Sequence, residues 1–141
     1  VTPVEALARL GAWFEALEPA RVGEIGQYYT EDAWFKDPFN EVRGPAAIGA
    51  IFARMYQQVD APRFRVTGRV CDGREAFLLW DLEFRFRGTS AQQRIHGVSH
   101  LKLGEDGRVT YHRDYWDTAE ELYAKIPGLG AAVRWLQRRA H

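Results

Sequence analysis

Cysteine is nearly absent: Cys71 stands alone among 141 residues. A single thiol forms no internal disulfide and no cysteine-based zinc site. Its neighbours Val70 and Asp72 supply no cation to activate it. Net charge is lacking too, because 19 basic residues offset 19 acidic ones. That balance removes the basic footprint a nucleic-acid partner requires, so none is expected. No apolar run approaches the length of a membrane span, and no signal-peptide pattern is visible. The expectation is a soluble cytoplasmic protein, with room for a segment ahead of Val1. Phosphate loops, nucleophile elbows and flavin motifs are missing, as are repeats, linkers and low-complexity stretches.

What is present is apolar and aromatic. Hydrophobic residues make up 46% and aromatic ones 13%, five of them Trp, which excludes disorder and suits one well-filled domain. Val4, Leu7, Ala8, Leu10, Trp13, Phe14 and Leu17 recur at helical spacing behind a Thr2 N-cap and Pro3, and Pro19 ends that helix. A short helix is expected over Val22–Tyr29, with Ile25, Tyr28 and Tyr29 inward. A third covers Pro45–Gln58, with Ile48, Ile51, Phe52 and Met55 on one side.

From Pro62 the period changes to two. Phe64, Val66, Gly68 and Val70 form one face of a strand that ends at an Asp72-Gly73 hairpin. Ala76, Leu78, Trp80, Leu82, Phe84 and Phe86 line the next. Ile95, Gly97, Ser99, Leu101 and Leu103 line a third, and Arg108–Trp116 is the last. The fold class expected is α+β: a curved, cone-shaped antiparallel sheet of four long strands plus short ones, three N-terminal helices on one face, and a C-terminal helical tail. The cone domain spans 1–117 and the extension 118–141. A curled sheet closed by helices leaves a cavity for a small apolar ligand. The tail reads as a helix over Thr118–Lys125, a Pro127-Gly128 break, and a helix carrying Leu129, Val133 and Leu136. Its expected place is on the domain or on a dimer partner; a lid or a membrane-surface contact are the alternatives.

The stretch WFKDPFNEVRG, Trp34–Gly44, places one carboxylate, Asp37, between Phe35 and Phe39. Apolar surroundings raise a carboxyl pKa and so make acid–base catalysts. An Asp-Pro turn is the plainer explanation. Further along, His112 and Asp114 lie two apart on one strand, roughly 6–7 Å between Cα atoms, as a His–carboxylate pair would. The alternative is a buried polar pair or a solvated edge. His96 and His100 fall on the outer face, so no metal site is expected.

QYYTEDAWFKDPFNEVRGPAAI, together with GRVTYHRDYWD, resembles the nuclear transport factor 2-like superfamily. Within it the chain is similar to ketosteroid isomerases and SnoaL-like polyketide cyclases, over roughly residues 4–117. The resemblance implies a dimeric cone with a pocket. It puts the isomerase general base on Asp37. The oxyanion-hole tyrosine and aspartate fall on Trp13 and Ser99, and two supporting tyrosines on Phe52 and Tyr29. With both principal donors replaced, isomerase chemistry loses stabilisation on the order of 2.7–4 kcal/mol per donor. The resemblance also turns His112, Asp114 and Trp116 inward, against the periodicity, which places Val109, Tyr111 and Tyr115 inside. SnoaL-like cyclases use an aspartate in the last strand, with histidine nearby, as acid and base. Limonene epoxide hydrolase has a catalytic aspartate in a similar segment, but needs a second aspartate and an arginine that Arg94–Leu103 does not supply.

Together these features predict a cofactor-independent acid–base enzyme acting on a small apolar carbonyl, polyketide or terpenoid-like compound. Asp37, His112 and Asp114 are the catalytic candidates. Trp13, Tyr29, Phe52, Trp80, Ser99 and Trp116 are the pocket candidates. A homodimer is expected. The alternatives are a non-catalytic binding or dimerisation module and a limonene-type epoxide hydrolase.

Overall fold

The computed structural model describes residues 1–121 together with 135, 136, 138 and 139. The expected helix end at Lys125, the Pro127-Gly128 break and the packing of Leu129 and Val133 fall outside the described residues. Leu136 is exposed.

Helix α1 (Pro3–Glu15) starts where the sequence requires. The Thr2 hydroxyl accepts from the Glu5 backbone N–H at 3.1 Å, and Pro3 occupies a position that needs no donor. Leu7, Leu10, Trp13 and Phe14 form its buried stripe. Val4 and Ala8 are exposed, so the stripe is narrower than the spacing suggests. The second helix is a 3-10 helix over Pro19–Gln27, not Val22–Tyr29. Pro19 at its start and two glycines within nine residues disfavour an α-helix. Tyr29 instead opens strand β1 (Tyr29–Lys36), which turns back into β2 (Glu41–Arg43). Helix α2 (Pro45–Gln58) follows, burying Ile48 and Phe52.

Four strands form the expected meander: β3 (Val59–Asp72), β4 (Glu75–Phe86), β5 (Gln92–Leu103) and β6 (Val109–Tyr115). The β3–β4 hairpin closes with Asp72 opposite Glu75 and Gly73 at φ 60°, a conformation that suits glycine. The sheet has six strands in the order β2-β1-β6-β5-β4-β3, curved but not closed. It is mixed rather than wholly antiparallel, because β1 runs parallel to β6. The connection between them carries α2 and four whole strands, long enough for the crossover that parallel pairing demands. A short helix α3 (Thr118–Glu121) ends the described run, capped by Asp117, whose Oδ1 accepts from the Glu120 N–H at 3.0 Å.

Two bulges decide which side chains face the helices. In β3, Val66 opposes Trp80 while Gly68 opposes Leu79, so Thr67 is an extra residue. Phe64 and Val66 therefore face inward, whereas Val70 passes to the outer face and is 56% exposed, against the single-face pattern expected. In β6, Leu103 opposes Val109 while Lys102 opposes Tyr111, which leaves Thr110 extra. Val109 and His112 are both about 1% exposed, and Tyr115 is 49% exposed on the other face. The inward placing of His112 thus holds. Periodicity misassigned Tyr111 and Tyr115 because one inserted residue reverses every later position.

Candidate active site

Three neighbouring strands put four polar side chains in one line. β5 and β6 pair Ser99 directly with Asp114, and β1 and β6 pair Phe35 with His112. The Tyr29 hydroxyl lies 2.7 Å from His112 Nδ1, and His112 Nε2 lies 2.6 Å from Asp114 Oδ1. The same oxygen accepts the Ser99 hydroxyl at 2.5 Å, and Ser99 Oγ in turn accepts the Trp80 indole N–H at 2.9 Å. One tautomer satisfies every link: hydrogen on Nε2 facing Asp114, and Nδ1 accepting from Tyr29. Among the described residues no buried side-chain nitrogen or oxygen lacks a partner. That completeness makes a buried polar network rigid rather than costly.

Burial pushes the Tyr29 phenol well above its usual range, and the Asp114 charge adds to the effect. The phenol keeps its proton and acts as a fixed donor that sets the histidine tautomer. Rings surround the imidazole. Phe35 is 4.7 Å away, Tyr29 stacks at 5.9 Å, and Phe14 meets it edge-on at 6.2 Å, centroid to centroid. Asp114 is the member of the chain that reaches open space. Its side chain is 16% exposed, and its Oδ2 makes no hydrogen bond to a described residue.

That space is a cavity of about 240 Å³ between α2, the β1–β2 loop and the inner sheet face. It exceeds the roughly 150 Å³ engineered cavity that takes benzene. Phe52, Trp80 and Trp116 are among its walls, as are Phe35 and Phe39, and both Asp37 and Asp114 border it. A pocket of about 20 Å³, room for one water, is lined in part by Ser99, His112 and Asp114. Trp80 can lie across β5 only because its cross-strand partner is glycine. A Cβ on Gly97 would stand 2.4 Å from the indole Cη2.

The remaining sequence candidates separate. Asp37 borders the cavity but is engaged by its own loop. Its Oδ1 accepts from the backbone N–H groups of Phe39 (2.8 Å) and Asn40 (2.7 Å), and both oxygens accept from the Asn40 side-chain amide. This is the turn geometry that Asp-Pro sequences favour. Trp13 lies away from the cavity, stacked on Tyr28 at 4.9 Å with its indole N–H donating to Glu24. Tyr29 is buried behind His112 rather than in the cavity wall. Ser99 is directed to Asp114. The two isomerase oxyanion positions therefore form no oxyanion hole here. His96 and His100 pair with Asp81 (2.8 Å) and Glu75 (2.7 Å) on the outer face, and no metal-ligand cluster occurs among the described residues. Sequence reading did not foresee the Trp80–Ser99–Asp114 link. Its only signal was the alignment of Gly97 and Ser99 with the apolar face of their strand.

The fold and the carboxylate-bearing cavity place the protein among the nuclear transport factor 2-like folds. The SnoaL-like domain matches residues 10–112, and the chain belongs to that family. No curated protein matches it in sequence. Among solved structures, a protein of ketosteroid isomerase-like fold from Catenulispora acidiphila, in complex with trimethylamine, superposes with a TM-score of 0.72 at 16% identity, over 86% of this chain and 92% of that one. An LEH-like epoxide hydrolase from M. tuberculosis gives 0.67 at 21% identity, covering 93% and 96%. A candidate SnoaL-like polyketide cyclase from Shewanella denitrificans gives 0.67 at 22% identity, covering 87% and 99%.

Proposed function

We propose that the protein is a cofactor-independent acid–base enzyme that moves a proton on a small, largely apolar molecule, with Asp114 as the base. The observation that carries this is the chain Tyr29–His112–Asp114–Ser99 ending in one free carboxylate oxygen at an apolar cavity. Ser99 and His112 hold Oδ1, which aims Oδ2 at the ligand. A C–H beside a carbonyl gives its proton to Oδ2 and recovers it at the same or another carbon. Isomerisation, aldol-type cyclisation and dehydration all share that step. His112 acts behind Asp114, as donor to the carboxylate, rather than on the substrate. The Trp116 indole N–H has no partner among the described residues and is the donor available to a substrate oxygen.

Epoxide hydrolysis has less support. No arginine lines the cavity among the described residues, and Asp114 is paired with an alcohol, Ser99, rather than with a second carboxylate. The test is deuterium uptake, followed by NMR in D2O, across a panel of small ketones, enones and epoxides. Exchange α to a carbonyl that disappears in Asp114→Asn supports the reading. Epoxide opening without exchange, or exchange that survives Asp114→Asn, overturns it.

The same reading includes a homodimer through the outer sheet face. There Trp34 stacks on Tyr111 at 4.8 Å and Phe77 on His100 at 4.7 Å, beside the exposed Val70 and Tyr115. Sedimentation should give a dimer that Tyr111→Glu dissociates. A monomeric wild type would end this part of the proposal.

A further inference from the structure

Charge is distributed unevenly around the cavity. Two carboxylates border it, Asp37 and Asp114, while no lysine or arginine among the described residues is in its lining. Its neutral polar groups are only Asn40 and Gln58, and the Asn40 amide is committed to Asp37. The rest is apolar, including the faces and edges of Phe35, Phe39, Phe52, Phe64, Trp80 and Trp116. Lys36 and Arg113 line an adjoining, more open groove that Asp37, Asp114 and Trp116 also border. There Lys36 is 3.9 Å from Glu41, and the Arg113 guanidinium lies 4.9 Å over the Tyr115 ring.

This arrangement leaves a gap in the proton-transfer reading, on which the inference rests. When Asp114 takes a proton, its negative charge passes to the substrate. Asp37 lies nearby, and among the described residues the wall offers an indole N–H but no cation to hold the new charge. A positive charge carried by the ligand meets that need. We infer that the cavity takes a small cationic amine, whose ammonium group lies among the aromatic rings and near the two carboxylates while a neighbouring carbon faces Asp114. Ring quadrupoles and carboxylates both favour such a group, and desolvation strengthens the cation–ring attraction. Asp37, held within its own turn, is the second carboxylate that favours the cation. Carboxylates and phosphates of the same size are excluded.

The experiment compares three molecules of one shape: choline, neutral 3,3-dimethylbutan-1-ol and anionic 3,3-dimethylbutanoate. Calorimetry and indole N–H shifts in NMR spectra of the wild-type protein report affinity and location. Choline should bind about tenfold or more tighter than the neutral alcohol, about 1.4 kcal/mol, and should shift the Trp80 and Trp116 indole signals. The anion should not saturate. Asp37→Asn keeps the turn acceptor and loses the charge, so it should cut the preference by about half on the logarithmic scale. Trp116→Leu should lower choline affinity more than that of the alcohol, and serves if Asp37→Asn does not fold. Equal or weaker binding of choline, absence of any choline binding, or shifts confined to other tryptophans overturns the inference. Loss of α-proton exchange in Asp114→Asn without a cation preference defeats only this inference. A cation preference with exchange indifferent to Asp114 defeats only the catalytic reading.

Discussion

Tyr29 and His112 are 83 positions apart in sequence and share a buried hydrogen bond of 2.7 Å. One is the first residue of β1 and the other lies near the middle of β6. The bond exists because those two strands run side by side. It ties the proton position on a histidine to a phenol that burial keeps neutral.

The raised pKa of Tyr29 makes stability depend on pH at the alkaline end. Below the unfolded value of about 10 the phenol is neutral in both states, and its stabilising contribution is intact. Above that pH the unfolded chain ionises first, so stability falls as pH rises, by up to about 1.4 kcal/mol per pH unit for this group. Tyr29→Phe should remove that component of the alkaline slope in urea-melt series from pH 9 upward. It should also cost about 1–3 kcal/mol at neutral pH, because Nδ1 of His112 loses its donor inside the core. Tyr56, whose pKa burial also raises, leaves a residual slope. Nitrogen shifts of His112 should show the tautomer mixing in the variant. An unchanged alkaline slope would place the Tyr29 proton elsewhere.

Asp37 and Asp114 separate by kcat. Asp114→Asn should lower it by about 10²–10⁴, the range for loss of a general base. Asp37→Asn preserves the loop acceptor and should leave kcat within about tenfold. Asp37→Ala also removes the acceptor for the Phe39 and Asn40 N–H groups, and should loosen the β1–β2 loop in hydrogen exchange. A drop in Asp37→Asn as large as that in Asp114→Asn would transfer the base to Asp37.

Gly97→Ala tests the support behind the carboxylate. The new Cβ meets the Trp80 ring at 2.4–2.6 Å, so the indole must move and release Ser99. Overpacking of this kind costs about 1–3 kcal/mol. Trp80→Phe vacates the space, so Gly97→Ala should cost less in the Trp80→Phe background than alone. A double-mutant cycle should show coupling of about 1 kcal/mol. Additive losses would mean that the two residues do not share the strain.

Ala61 has φ 49° just before Pro62, where β3 slips register against β4. β3 is the sheet edge, which is where a proline without an N–H is tolerated. The left-handed backbone penalises a Cβ. Ala61→Gly should therefore stabilise the protein by about 0.5–1 kcal/mol, seen as a Tm roughly 2–4 °C higher. A lower Tm would mean that the entropy of glycine in the unfolded chain outweighs the relief.

Much of the scaffold was legible because it is locally encoded. Thr2, Pro3, Pro45 and the Asp72-Gly73 turn mark their elements directly, and α2 has the bounds its sequence predicts. The failures lie where one residue changes the count. Thr67 and Thr110 are inserted without any residue-type signal, yet each reverses the facing of the residues after it in its strand. Only the resemblance, through its RDYW segment, turned Asp114 inward. The hydrogen-bonded chain itself depends on register across β1, β6, β5 and β4, which no local pattern encodes. Asp37 looked like a base because its neighbours are aromatic. Its loop geometry, in which the Asn40 N–H and amide donate to the carboxylate, is not encoded by that aromatic setting.

β1 joins the sheet only through β6, since its other neighbour is the short β2. A ribosome making this chain must therefore hold its first two strands in waiting until residue 109 and beyond have emerged. Such distant pairing is slow to form. When β6 arrives, it anchors the N-terminal segment and delivers His112 and Asp114 in the same event. A chain that stops short of β6 lacks both His112 and Asp114, so maturation of the sheet and of the site arise together.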